Sequence, residues 1–394
     1  MIENKIESNL KWLPDDFSEN LTESYIRPFH TFLVKIATLC NLNCDYCYVY
    51  QMPDQSYKFK PKKLELDVAD KISEKINEHV ISNSLNDITI IFHGGEPLLV
   101  GHNHFSDLVN IFNKNIKCKI NWGLQTNGVL VDEQFINIFQ KHEFSLGVSI
   151  DGYKKSNDIH RLYHNGKSSF DDTLKCIKLL NHHSNSGKMF GGILAVIDLD
   201  VPPKELLDFV VEYSIKSVNP ILPDGHNSAL PPNKKSLPDI RYGQWLSELF
   251  ELWYHDYNMK SIPYFEEIIG LMLGGESGAE EIGAKSVDLV VVETNGDLEA
   301  VDTLKVVGRE ATSLKMNVFE HSFDEALKHP AIYSRMVGFK ALSEECQNCI
   351  FLNNCGGGYI PHRYSVENGF INTSVYCNDL KFLFQTIEKT IFKK

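Results

Sequence analysis

Between residues 32 and 222, six short strand-like runs alternate with stretches of helical period. The runs fall at 32–36, 87–92, 120–125, 144–150, 190–197 and 217–222, and a helix face follows each of the first five. The plainest face has Leu64, Val68, Ile72, Ile76 and Val80 recurring every four residues. Strands that alternate with helices pair in parallel through right-handed crossovers. Six units fall short of the eight that close a barrel. The prediction is therefore an α/β fold, a partial (β/α)6, TIM-like barrel whose site lies at the carboxyl ends of its strands. Those ends carry the motifs: Cys40–Cys47 after the first run, Gly94-Gly95-Glu96-Pro97 after the second, Thr126-Asn127-Gly128 after the third and Asp151-Gly152 after the fourth.

On the first of these loops Cys40, Cys44 and Cys47 are separated by three and then two residues, with Tyr46 before the last thiol. Three soft thiolates on one short loop suit an iron–sulfur cluster or zinc. A structural zinc site takes four protein ligands, and no fourth Cys or His follows nearby. Three ligands leave one iron of a four-iron cluster open to a small molecule. A second group, Cys346, Cys349, Cys355 and Cys377, has enough thiolates to close a site, with four-thiolate zinc as the alternative. Nine cysteines exclude a fully paired disulfide framework, and clustered thiols in a reducing compartment read as metal ligands. Cys118 and Cys176 stand apart and read as ordinary thiols, while His102, His104, His182 and His183 read as surface residues.

A chain of 394 residues favours more than one domain. The expected divisions are an N-terminal extension (1–28), packed on the barrel or a partner, the barrel (29–238), an aromatic helical bridge (239–285) and a smaller cysteine-bearing domain (286–394). In the last, two β-rich runs around Asn295-Gly296 predict a hairpin, followed by short helices. A net charge of −13 argues against a nucleic-acid partner held by phosphate contacts. Met1–Asn9 is polar, unlike a signal peptide, and no apolar run is long enough to span a bilayer. A cytoplasmic location with no membrane partner is the expectation.

The spacing Cys40-x3-Cys44-x2-Cys47 with Tyr46 resembles that of the radical S-adenosylmethionine (SAM) enzymes. The resemblance implies a [4Fe–4S] cluster on these cysteines with SAM chelating the open iron. It also implies an electron donor such as flavodoxin or ferredoxin, and cleavage of SAM to a 5′-deoxyadenosyl radical that abstracts hydrogen from substrate. The cofactor supplies that chemistry and the protein orients it. Gly94, Gly95, Glu96 and Pro97 resemble the family's motif for the SAM amino group; glycines permit close backbone approach, and Glu96 can pair with an ammonium. Ser149 and Asp151 resemble the ribose-contacting segment, and Tyr46 fits beside adenine. Arg161 is a candidate for the SAM carboxylate, since its fork suits bidentate pairing. Asn127 joins this cofactor-binding set, with a turn role as its alternative.

The four later cysteines resemble the SPASM auxiliary-cluster domain, which implies a second [4Fe–4S] cluster. The fuller SPASM pattern adds a third, but its cysteine places hold Val301 and Tyr359, and no cysteine lies between Cys176 and Cys346. Two clusters are therefore expected. The stretch from Cys355 to Tyr364, with Pro223-Asp224-Gly225-His226 upstream, resembles the SPASM maturases that build three-residue cyclophanes (triceptides) in ribosomally synthesised precursor peptides. This implies removal of a Cβ hydrogen from a residue two places after an aromatic one, and a C–C bond from that carbon to the ring. The auxiliary cluster would take the surplus electron and a base the ring proton. Asp224, His226 and Asp302 are the base candidates, and His362 and Arg363 fit a bracing role at the cluster loop, Arg363 donating to a carbonyl or a cluster sulfur. The alternatives are a thioether-forming maturase, a sulfatase formylglycine-generating maturase and, more remotely, a non-catalytic metal-stabilised scaffold that binds peptides.

Overall fold

The computed structural model describes residues 10–15, 17, 25–183, 188–257 and 260–392. Six parallel strands form in chain order: β1 (Thr31–Ala37), β2 (Asp87–Gly94), β3 (Lys119–Thr126), β4 (Ser145–Ser149), β5 (Phe190–Val196) and β6 (Val218–Ile221). Each pairs with its sequence neighbour, and the order across the sheet is β6-β5-β4-β3-β2-β1. Between them run α1 (Leu66–Ser82), α2 (His102–Asn115), α3 (Glu133–Lys141), α4 (Lys154–His160), α5 (Phe170–His183) and α6 (Pro203–Glu212). This is the open, partial barrel that the alternation predicts.

Local chemistry explains the elements. The α1 face with a spacing of four puts Ile72, Ile76 and Val80 against the sheet, all buried. Asp132 caps α3 by accepting from the Phe135 N–H at 2.9 Å. Under the helices sits an aromatic core in which Phe92 meets Phe105 edge-on at 5.4 Å and Trp122 stacks on Phe144 at 5.2 Å. The short helix α4 lies in a stretch where sequence periodicity showed none.

The aromatic stretch expected as a helical bridge forms two helices, α7 (Arg241–Asp256) and α8 (Pro263–Met272). Pro263 opens the second, where its missing N–H does no harm. Gly243 in α7 presses on the backbone of Asp379 in α9 (Cys377–Phe392). The hairpin forms at Asn295-Gly296, but its second arm is short. Strand β7 (Leu289–Val292) pairs parallel to β1, β8 (Asp297–Glu299) pairs antiparallel to β7, and β9 (Ser313–Asn317) adds beyond β8. The expected run to Val307 instead turns into a 3-10 helix at Asp302–Val306.

That turn places Lys305 in a buried ionic cluster. Lys305 meets Asp54 at 3.2 Å and Glu299 at 3.1 Å, Lys60 meets Glu299 at 2.6 Å, and Lys35 of β1 meets Glu293 at 2.9 Å. Charges this deep persist only when paired, so the cluster ties β1, β7 and β8 together. One sheet therefore runs through the expected boundary at 285/286.

The described part of the N-terminal extension packs on the C-terminal third: Trp12 stacks on Phe370 at 4.2 Å, and the Phe370 N–H donates to Lys11 O at 2.8 Å. The rest of 1–24 lies outside the described residues. Among the described residues no helix is long and apolar enough to cross a membrane.

Candidate active site

The carboxyl ends of β1 to β6 and the C-terminal third enclose one cavity of about 370 Å³, within the range of small-molecule sites. Cys40, Cys44 and Cys47 all line it. Their loop is held from within, since the Leu42 N–H donates to Cys40 Sγ at 3.4 Å and the Cys47 N–H to Cys44 O at 3.3 Å. Burial pushes the Cys40 thiol up to about 12 and the Cys47 thiol to about 11, so free thiolates are disfavoured until a cationic centre offsets that burial. Among the described residues no three Cys, His, Asp or Glu side chains converge as they would around a single ion. The three thiols line one cavity together, and three soft thiolates suit an iron–sulfur cluster.

Tyr46, Asp151 and Arg161 form one connected group on the cavity wall. The Tyr46 hydroxyl donates to Asp151 Oδ2 at 2.7 Å and accepts from Arg161 Nη1 at 2.8 Å, while the Val196 N–H donates to Asp151 Oδ1 at 3.0 Å. Burial opposes the charge on Arg161, but Tyr46, Cys44 and Asp151 more than offset it. Its Nε is buried with no hydrogen-bond partner, and the residue lines the cavity. Ser149 lines the same wall, its Oγ accepting from Gln125 Nε2 at 2.9 Å. Asn127 lines it too and donates to Asn41 Oδ1 at 2.7 Å beside Cys40.

Gly94 and Gly95 line the cavity, and Gly95 has a second role. A Cβ on Gly95 would sit 1.9 Å from the Tyr50 hydroxyl and 2.4 Å from Leu39 O. Its missing side chain therefore lets β2 press on the cysteine loop, with the Gly95 and Glu96 N–H groups donating to Ala37 O and Leu39 O at 2.9 Å each. Glu96 is fully buried and is not among the cavity-lining residues, nor is Pro97. The Glu96 carboxylate accepts from Thr126 Oγ1 and the Asn127 N–H at 2.8 Å each and from the Leu98 N–H at 3.1 Å. Burial raises its carboxyl to about 7 despite these bonds. As placed, Glu96 braces the β3 end and carries Asn127, rather than facing a ligand ammonium itself.

The three base candidates separate. Asp224 faces the cavity, and burial, helped by the charge of Asp302, raises its carboxyl to about 7. Asp302 sits behind the wall, accepting from the Tyr48 hydroxyl at 2.9 Å with Lys35 at 3.7 Å. Burial works against its charge, but Lys35, His93 and Lys305 prevail and hold the carboxyl low. Tyr48 and His93 line the cavity in front of it. His226 does not reach the cavity. Gly225 is wedged against Pro231 and turns the chain, so the His226 Nδ1 accepts from the Ser228 N–H at 3.2 Å and its ring meets Tyr364 edge-on. It is therefore not placed to take a proton from a ligand in the cavity.

Sequence reasoning missed other lining residues: Gln125, Tyr48, His93, Tyr264, Glu281 and Tyr359. Gln125 and His93 carried a signal, being polar residues near the ends of barrel strands. Tyr48 directly follows Cys47 and shared the signal of that loop, whereas Tyr264, Glu281 and Tyr359 come from distant segments. His362, assigned a bracing role, also lines the cavity; its Nε2 has no partner, and burial with His226 nearby drops it to about 3.

Cys346, Cys349, Cys355 and Cys377 line one small separate cavity, closed on its sides by Phe351, Leu352, Leu380 and Phe384. The thiols come from two one-turn helices, Glu344–Gln347 and Leu352–Cys355, from the loop between them and from the start of α9. Burial pushes the Cys355 thiol up to about 12. Arg363 is buried, with Nε and Nη1 unpartnered. A set of four soft thiolates fits an iron–sulfur cluster. The places of a third cluster hold Val301, buried, and Tyr359, whose hydroxyl shares a 2.5 Å bond with Thr303.

Residues 34–210 match the Radical SAM superfamily. The chain is 26% identical over 388 residues to a cysteine-type anaerobic sulfatase-maturating enzyme of Clostridium novyi, covering 92% of this chain and 96% of that protein. It is 24% identical to a serine-type anaerobic sulfatase-maturating enzyme of Bacteroides thetaiotaomicron, over 86% of this chain and 84% of that one. Among solved structures, native anSMEcpe with bound AdoMet superposes with a TM-score of 0.78 at 25% identity, covering 91% and 97% of the two chains. Streptococcus suis SuiB bound to S-adenosylmethionine gives 0.59 at 18% identity over 91% and 79%, a likeness of fold.

Proposed function

We propose that this chain, a radical SAM enzyme of the SPASM and sulfatase-maturase type, crosslinks a side-chain Cβ of a ribosomally made peptide to an aromatic ring two residues earlier. The observation that carries this reading is that one cavity is lined both by the three thiols with the Tyr46–Asp151–Arg161 group and by Asp224, Tyr359 and His362. A generator and a set of residues suited to a substrate thus share one cavity. Residues 29–238 serve as the catalytic barrel, 239–285 as the bridge and 286–394 as the auxiliary domain. Seven ligand thiols suit a reducing compartment such as the cytoplasm, with a flavodoxin or ferredoxin as electron donor.

Cys40, Cys44 and Cys47 hold one [4Fe–4S] cluster, and Cys346, Cys349, Cys355 and Cys377 hold the other. When bound, the first cluster and SAM supply a 5′-deoxyadenosyl radical that takes a hydrogen atom from the peptide. Arg161, which lines the cavity, is the cation for the SAM carboxylate, Asp151 and Ser149 meet the ribose, and Glu96 sets Asn127 in place. On the substrate side, Asp224 faces the ring proton with a carboxyl poised near neutral pH, which suits a general base. Asp302 is the ionised alternative, reached through the Tyr48 hydroxyl.

Co-expression with small peptides encoded nearby, followed by tandem mass spectrometry, tests the proposal. The expected product has lost two hydrogens, and its fragments place a link between an aromatic residue and the residue two places on, with no sulfur involved. The likeness to sulfatase-maturating enzymes favours a second reading, conversion of a Cys or Ser to formylglycine. A product whose single Cys or Ser has become an aldehyde would establish that reading and end the first.

A further inference from the structure

From the last residue of α4 onward, the chain lies along the cysteine loop. His160 Nδ1 is 2.8 Å from Asp45 Oδ1, Arg161 Nη1 donates to the Tyr46 hydroxyl at 2.8 Å, and the Asn43 N–H donates to Leu162 O at 2.8 Å. Tyr163 forms an antiparallel bridge with Leu42, and His164 Nε2 donates to Cys40 O at 3.0 Å. Five consecutive residues thus hold the loop that carries Cys40, Cys44 and Cys47. This strap is itself anchored. The Tyr163 N–H donates to Lys167 O at 2.9 Å across a turn at Gly166, Ser169 Oγ to Arg161 O at 2.6 Å, and the Tyr163 hydroxyl to Asp172 of α5 at 2.7 Å.

His160 makes a second contact. Its Nε2 lies 3.1 Å from Asp198 Oδ2, so one imidazole joins the cysteine loop to the segment after β5. Asp198 stands two residues past Val196, whose N–H donates to Asp151, and Asp45 stands next to Tyr46, whose hydroxyl donates to Asp151. The contacts therefore close a ring through Asp45, His160, Asp198, Val196, Asp151 and Tyr46. The imidazole also packs against Tyr46, with ring centroids 5.3 Å apart. Closing such a ring removes conformational freedom from each member. The Asp198 side chain is 12% exposed and that of Asp45 65%, so water screens the Asp45 link more than the Asp198 link.

We propose that His160 is a positioning residue of the radical reaction: it ties the cysteine loop to the end of β5 and so sets Tyr46, with Asp151 and Arg161, for the cofactor. His160 is not among the cavity-lining residues, so it acts through Tyr46 and touches no substrate. The proposal rests on the reading of this cavity as a SAM site.

The test uses the full chain in two forms. In iron-free protein, iodoacetamide labelling of each cysteine is timed by peptide mass spectrometry, with Cys346, Cys349, Cys355 and Cys377 as the internal reference. His160→Phe keeps a ring beside Tyr46 and removes both links. It is expected to speed labelling of Cys40, Cys44 and Cys47 by about three- to tenfold, the worth of one polar contact, with the reference cysteines unchanged. In reconstituted protein the same variant is expected to weaken SAM binding by a like factor, read by calorimetry, at unaltered iron content. His160→Gln, which keeps one donor group, should recover part of both changes. Asp198→Asn is expected to act more strongly than Asp45→Asn, and Asp45→Asn to add nothing to His160→Phe. Unchanged labelling and affinity in His160→Phe overturn the proposal, as does equal speeding at both cysteine groups. Faster labelling with unchanged SAM affinity also overturns it, leaving a merely structural tie. Additive effects of Asp45→Asn and His160→Phe contradict the bridge. If His160→Phe does not fold, Asp198→Asn and Asp45→Asn decide by the same two readouts. If the unaltered chain binds no SAM, the SAM reading fails, and labelling still decides whether His160 holds the loop.

Discussion

The two cysteine groups are built by opposite means. Cys40–Cys47 is one loop hung from the end of β1, and its surroundings come from the ends of other strands, leaving a wide cavity that Arg161 also lines. Cys346, Cys349, Cys355 and Cys377 come from one-turn helices and the start of α9, and side chains fill nearly all the space around them. The first has room for a ligand on the cluster; the second has room only for a cluster. Three thiolates with a vacancy suit chemistry, while four in a closed shell suit electron transfer.

The largest effect should come from the open site. Replacing Cys40, Cys44 and Cys47 with Ala should reduce SAM cleavage to background while the second site still loads iron; concerted loss of iron from both sites would show that they are not independent. Next, Arg161→Met should weaken SAM binding roughly ten- to a hundredfold, the worth of a charge-assisted hydrogen bond lost in a dry site. Calorimetry on the reconstituted protein reads this directly, and unchanged affinity would remove Arg161 from the ligand set. Gly356→Ala strikes the closed site alone. With φ at 61° and its Cβ 1.6 Å from Gly283 O, strain of about 1–3 kcal/mol or more is expected, with iron loss confined to the second cluster.

Asp224 gives the smallest change in stability and a clear sign. Burial and Asp302 raise its carboxyl to about 7 in the folded chain, above its unfolded value. The folded state thus keeps the proton longer than the unfolded one, and stability falls as pH rises toward 7. Asp224→Asn should therefore melt a few degrees higher than the unaltered chain at pH 8, with the difference vanishing at low pH. If Asp224 is the base, crosslinking by the unaltered chain should rise through about pH 7, and this limb should disappear in the variant.

The barrel was legible because each of the first four strand ends bears a motif that only a loop can hold, and α/β alternation leaves few topologies. The thiols were legible from their spacing. The partners of Glu96 were not legible for a physical reason: an acid beside glycines suits an ammonium, and nothing local reveals that Thr126 and Asn127 fold over it. His226 was misplaced because the Gly225 turn depends on Pro231, out of sight of any periodicity. The part of the cavity lined by Tyr264, Glu281, Tyr359 and His362 was the least legible. It is assembled from α8, the glycine-rich loop after it and the return after Cys355, and such long-range contact leaves no local period. The hairpin arm ended early because Lys305 is drawn into a buried ionic cluster with Asp54 and Glu299.

The division of labour between the two sites is tested most directly in one variant with Cys346, Cys349 and Cys355 changed to Ala. Reconstituted anaerobically and given SAM and dithionite, it should still release 5′-deoxyadenosine while forming no crosslinked peptide. Full crosslinking, or no 5′-deoxyadenosine from protein whose first site is loaded with iron, would contradict the account.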